Sequence, residues 1–249
     1  MIRSVVKYSF LVAVLFTVSC KTAYQPSSVQ YKDYRINTKQ PDNSELNTLL
    51  KPYSDSVNRN MNDVIAVAGM TLDKKQPEGT LGNLLADAML AMAKENYKTN
   101  VDLAIMNAGG IRLPSIAAGN ITRGKIYELS PFDNILVLLK VKGNILQQLI
   151  DVAALKGGWP CAGITYQIKN KKAANIVIGG TILKEDAEYT IALVDYIANG
   201  GDNCDMLRNI PQQNNGYLFR DAVIQYFSAM QQQGKQINAS IQNRVTNAE

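Results

Sequence analysis

The stretch from 134 to 155 constrains the fold more than any other part of the chain. Residues 134–142 (NILVLLKVK) give the strongest strand signal, and 144–155 follow as an amphipathic helix through Leu146, Leu149, Ile150 and Ala153. Three strand-like runs then come in succession, over 163–168, 175–178 and 188–195, before a late helix over 217–230. A doubly wound parallel sheet needs helices and strands in regular alternation. This order breaks that rhythm, so the expected class is α+β, a mixed sheet with flanking helices.

The residues before this stretch fit the same class. Ser44 can cap a helix carrying Leu46, Leu49, Leu50, Tyr53 and Val57 at helical spacing, which Pro52 should bend or shift. A strand is expected over 64–68 and a loop over 73–79. Thr80 opens a helix with Leu81, Leu84, Leu85, Ala88 and Met92 on one face, and 101–106 reads as a short strand. Paired glycines mark turns over 107–110 and 199–202. The end beyond Ile237 is short and mostly polar. With no internal repeat and no second linker, 44–249 reads as one unit.

The first 20 residues read as an address. Arg3 and Lys7 precede an apolar run over 10–18 that is too short to span a bilayer as a helix. That is the layout of a secretory signal, expected over 1–19. Val18-Ser19-Cys20 resembles a bacterial lipoprotein box, with Thr17 where leucine is commonest. The resemblance implies that Cys20 becomes the lipidated first residue of an exported chain. Lys21, in place of an aspartate, points to the periplasmic face of the outer membrane. Residues 20–43 are polar, with Pro26 and Pro41, and read as a tether; the competing reading is a strand over 28–36.

Two absences narrow the chemistry. The chain of 249 residues has no histidine, which excludes His₃ metal sites and Ser-His-Asp triads built from its own side chains. Its net charge of +5 falls to about +3 once Arg3 and Lys7 are removed, too weak to call for nucleic acid. Export permits a disulfide, but Cys161 and Cys204 neither require nor exclude one, and no CxxC spacing occurs.

Four segments carry the functional signal. They are 78–88 (EGTLGNLLADA), 107–112 (NAGGIR), 131–134 (PFDN) and 196–202 (YIANGGD). Each is a polar or aromatic cluster at a strand end or helix start, where a rigid scaffold presents ligand-binding groups. The Asn107 amide both donates and accepts. Arg112 offers a fork for phosphate or carboxylate. Phe132 and Tyr196 can hold a planar ring on its two faces, and Asp202 can accept from two hydroxyls. Singly, each has a plainer reading: Phe132 as core, Arg112 in a surface ion pair, the glycine pairs as turns, Asn83 and Asp87 as helix-surface or capping residues. Their joint occurrence in this order specifies a nucleoside or nucleotide.

On these four motifs the chain, from the helix near Ser44 to Arg244, resembles the C-terminal domain of the 5′-nucleotidase / UDP-sugar hydrolase family. The resemblance implies a domain that binds the base and sugar of the substrate. Phe132 and Tyr196 match the two rings that sandwich the base, Asn107 and Asn134 the base-contacting amides, Arg112 a phosphate-facing arginine and Asp202 the ribose-binding acid. A glycine before the strand at 163 should lie beside the ring, with Gly157 or Gly158 as candidates.

This sequence departs from the family's pattern in places. Pro77 stands where the family has an arginine, with Lys74 and Lys75 close by, and Cys204 replaces a more apolar residue. The catalytic, two-metal phosphoesterase half with its G-N-H-[DE] motif has no counterpart here. The helix near Ser44 resembles the interdomain helix that precedes the C-terminal domain.

The resemblance therefore implies a split enzyme. A separately encoded metallophosphoesterase would supply the divalent metals, and this chain would hold no cofactor of its own. The alternative is a non-catalytic nucleotide- or nucleoside-binding lipoprotein. A relic without ligand binding is disfavoured by the retained rings and Asp202.

Overall fold

The computed structural model describes residues 28–33 and 43–248. The expected signal segment, Cys20 and most of the expected tether lie outside them. Residues 28–33 are exposed and carry no regular structure. Thr48–Glu249 forms a compact unit.

The first helix, α1 (Ser44–Met61), buries none of its residues, and Leu49, Leu50, Tyr53 and Val57 stay exposed. Pro52 lies inside it without ending it, on exposed backbone that water can solvate. There follow β1 (Val64–Ala68), β2 (Leu72–Asp73) and the central helix α2 (Thr80–Tyr97). The periodicity read one apolar face on α2. The structure also buries Gly82, Asn83, Ala86, Met89 and Ala93, because elements pack on several sides of this helix. Gly82 is needed there, since a Cβ would come within 2.9 Å of the Pro160 ring.

Then come β3 (Leu103–Ile105), β4 (Ser115–Ile116), β5 (Gly119–Thr122), α3 (Arg123–Leu129) and β6 (Leu136–Lys142). Residues Leu136 to Leu139 are all buried, the pattern of a strand covered on both faces. After α4 (Gly143–Leu155) the chain forms β7 (Cys161–Ala162), β8 (Ile164–Lys169), β9 (Lys172–Ile178), β10 (Thr181–Ile182) and β11 (Glu188–Val194). It ends with α5 (Asp195–Ala198), β12 (Gln212–Gln213), α6 (Phe219–Gln232) and β13 (Val245–Asn247).

The architecture is α+β, as the order of elements implied. A five-stranded mixed sheet runs β12-β6-β11-β3-β7, and a four-stranded one runs β10-β9-β8-β13. Two-stranded pairs β1-β5 and β2-β4 complete the unit. The expected strand over 188–195 stops one residue early, because Asp195 turns the chain into α5. The polar end is more ordered than its composition suggested. Ile237 is fully buried and bonds to the end of β1, and β13 joins β8 in parallel.

Strand directions explain where the site forms. β11 is parallel to β3, so the carboxyl ends of both lie at one edge of the sheet. β6 is antiparallel to β11, with Leu136 opposite Val194, so its amino end meets the same edge. The segments 107–112, 131–134 and 196–202 are thereby delivered to one place.

Candidate functional site

A cleft of about 360 Å³ opens at that edge, lined by Asn107, Gly109, Gly110, Arg112, Phe132, Asn134, Tyr196 and Asp202. All six side chains singled out as ligand-binding candidates thus share one wall-to-wall surface. Phe132 and Tyr196 are 43% and 46% exposed, which rejects the core reading of Phe132.

Asn107 follows β3 and leads into a single 3₁₀ turn over Ala108–Gly110. Its amide lies over the glycines: a Cβ on Gly110 would sit 3.2 Å from its Oδ1. Its Nδ2 donates to Asp202 Oδ2 at 2.6 Å. Asp202 holds a left-handed backbone (φ 54°) just after Gly200, also left-handed at φ 91°. Gly201 between them lies tight against Tyr196, since a Cβ there would lie 2.5 Å from its carbonyl oxygen and 2.6 Å from its ring Cε1 and Cζ.

Two contacts tie the walls together. Asp195 Oδ1 accepts from the amides of Ile135 (3.0 Å) and Tyr196 (2.9 Å), linking the entrance of β6 to the start of α5. Arg112 places its Cζ 5.6 Å from the Phe132 ring centroid and donates from Nη1 to Gly109 O at 3.3 Å. Lys74 Nζ donates to Ile111 O at 2.8 Å, next to Arg112. Partial burial lowers the Lys74 pKa, and the Arg112 charge lowers it further. That end of the cleft is electropositive.

Other candidates lie elsewhere. Gly157 and Gly158 pack against Gln76 and Pro77 and do not line the cleft, contrary to the place expected for one of them beside a ring. Glu78, Asn83 and Asp87 hold the chain's end. Glu78 accepts from Asn83 Nδ2 and from the amides of Gln242 and Arg244, while Arg244 meets both Asp87 oxygens at 2.8 Å. Cys161 and Cys204 are buried free thiols. Burial pushes both up to about 12, with nearby Asp202 adding to the effect on Cys204. Among the described residues no three His, Cys, Asp or Glu side chains converge on a metal position. The two-metal chemistry implied by the resemblance does not fit those side chains.

The supporting residues were not legible in the sequence. Asp195 and Arg220 hold the loops from the other side of a long chain separation, and no local pattern marks such partners.

Fold and cleft together define a domain that presents a polar, aromatic-walled site at a sheet edge. Residues 57–209 match the family described as 5′-nucleotidase, C-terminal domain. The chain belongs to this family. It is 28% identical over 199 residues to a 5′-nucleotidase of Vibrio cholerae, covering 76% of this chain and 35% of that one. A 5′-nucleotidase of Vibrio vulnificus is 30% identical over 194 residues, covering 74% and 34%. The crystal structure of a 5′-nucleotidase precursor from Thermus thermophilus superposes with a TM-score of 0.70 at 27% identity, covering 84% of this chain and 44% of that one. The chain thus spans about a third of the length of the Vibrio relatives.

Proposed function

We propose that this chain is the nucleotide- or nucleoside-recognition half of a 5′-nucleotidase-type hydrolase. The carrying observation is the convergence of two half-exposed rings, two amides, an arginine and an acid on one cleft. In this reading the base stacks between Phe132 and Tyr196, a contact worth roughly 1–3 kcal/mol per base. Asn107 and Asn134 meet the base edge. Asp202 accepts from ribose hydroxyls, with its carboxylate steadied by Asn107. Arg112, beside Lys74, faces the phosphate.

Bond cleavage belongs to a separate metallophosphoesterase, whose metals would hold the attacking and leaving oxygens. The chain is exported and anchored through lipidated Cys20, with 20–43 as tether and the domain on the periplasmic face of the outer membrane. Calorimetric titration of the chain with adenosine, AMP and ribose 5-phosphate tests the recognition reading. Tighter binding of AMP than of ribose 5-phosphate is expected; no binding of either nucleoside ligand overturns it. Saturable binding with no cooperating phosphoesterase in the cell envelope would favour a free-standing binding lipoprotein.

A further inference from the structure

Phe132 lies in the link 130–135 between α3 and β6, with its side chain partly exposed on the cleft wall. The backbone beneath it is held from α6, across 88 positions of sequence. Arg220, 6% exposed, donates from Nη1 to the carbonyls of Ser130 (3.5 Å) and Phe132 (3.3 Å). Its Nη2 donates to Asp133 Oδ1 at 2.7 Å, and its Cζ lies 4.2 Å from the centroid of the Tyr127 ring on α3. The neighbouring amide of Phe219 donates to Asn134 O at 2.9 Å. The first turn of α6 therefore grips the whole link.

Burying a guanidinium is unfavourable unless its donors are used. Here Nε is buried without a partner, so the position costs the fold something. An apolar side chain could fill the space against Tyr127. It could not bind two carbonyls and a carboxylate at once, which needs the planar fork of arginine. Asp133 is largely exposed, so the carbonyl bonds are the part that fixes the backbone.

We infer that Arg220 is a positioning residue for the Phe132 ring, acting through the backbone of 130–133 and touching no ligand itself. The inference rests on reading the cleft as a base clamp. It assigns to α6 a share in selecting base-bearing ligands over base-free ones.

The test uses the full chain with Arg220→Gln, Arg220→Lys and Asp133→Asn. Amide order parameters at 132–134 should fall from the rigid range near ~0.85 toward ~0.6 in Arg220→Gln, with β6 and β11 unchanged. Adenosine affinity should fall about tenfold while that for ribose 5-phosphate stays constant. Arg220→Lys keeps a charge for Asp133 but loses the fork, so it should loosen the link as well, and it carries the test should Arg220→Gln fail to fold. Asp133→Asn should leave both readouts near wild type. Equal losses for both ligands, or an unloosened link in the Lys and Gln variants, would overturn the inference. If the wild-type chain binds neither ligand, the recognition reading fails and the relaxation data alone decide: a rigid link without Arg220 rejects the positioning role.

Discussion

A phenylalanine in a core and one on a cleft wall answer truncation differently. Loss of a buried ring costs roughly 3–5 kcal/mol of stability. Phe132 and Tyr196 each expose nearly half their surface. Phe132→Ala and Tyr196→Ala should therefore shift the melting temperature little, while weakening adenosine binding by roughly 1–3 kcal/mol. Titration calorimetry paired with thermal melts checks both halves, and a large melting shift with unchanged affinity would reverse the assignment. The two described cysteines behave in the opposite sense. Cys161 and Cys204 are buried, and burial raises both thiols from the ordinary value of 9.0 to about 12. Raised folded-state values mean that the native state holds protons the unfolded state releases. The associated stability is complete below pH about 9 and is lost as pH climbs toward 12. At pH 8 neither thiol should react with Ellman's reagent in the native chain, and both should react once it is unfolded, as mapped by peptide mass.

Elements with their own apolar period were legible, and those held by distant polar partners were not. The run 134–142 and helix α4 announce themselves because the side chains that bury them are their own. The segment 115–129 holds β4, β5 and α3, yet it is short-runged and polar, and its order comes from pairing with β1 and β2. β13 is a clearer case. The Glu78–Asn83–Arg244–Asp87 network, with Arg244 Nη1 also donating to Cys161 O at 2.8 Å, reinforces its short ladder to β8 and the burial of Val245. Removing the guanidinium would leave Asp87 without its counter-charge and the buried carbonyls of Asn83 and Cys161 without their donor. Arg244→Ala should cost about 3 kcal/mol and free the end of the chain. Denaturant melts read the stability, and amide exchange reads the fraying of β13; equal protection there in the variant would refute the anchoring role. The cleft was largely legible because its lining comes from strand ends with distinctive local sequence. Its shape depends on less visible features, such as Gly201 under the Tyr196 ring. Gly201→Ala would meet the Tyr196 carbonyl at 2.5 Å as well as its ring, so it should shift the 196–202 loop and weaken adenosine binding together with some loss of thermal stability, read by calorimetry and melts.

At the scale of the whole molecule, the proposed function separates recognition from catalysis. Hydrolysing a phosphomonoester by two metals requires ligands that set both ions against the attacking and leaving oxygens. This sequence offers no histidine, and its described carboxylates and thiols are used differently. Glu78 and Asp87 hold the carboxyl end, Asp195 ties two loops, Asp202 lies in the cleft, and the thiols are buried. The purified chain with AMP and manganese or zinc should therefore release no phosphate above background. Release should appear when a metallophosphoesterase partner from the same envelope is added. In that mixture Phe132→Ala should raise KM more than it lowers kcat, because the ring contributes binding in ground and transition states alike. Vigorous metal-stimulated hydrolysis by the homogeneous chain would sink the split-enzyme reading. A fall in kcat alone would place Phe132 with the reacting groups instead of the base.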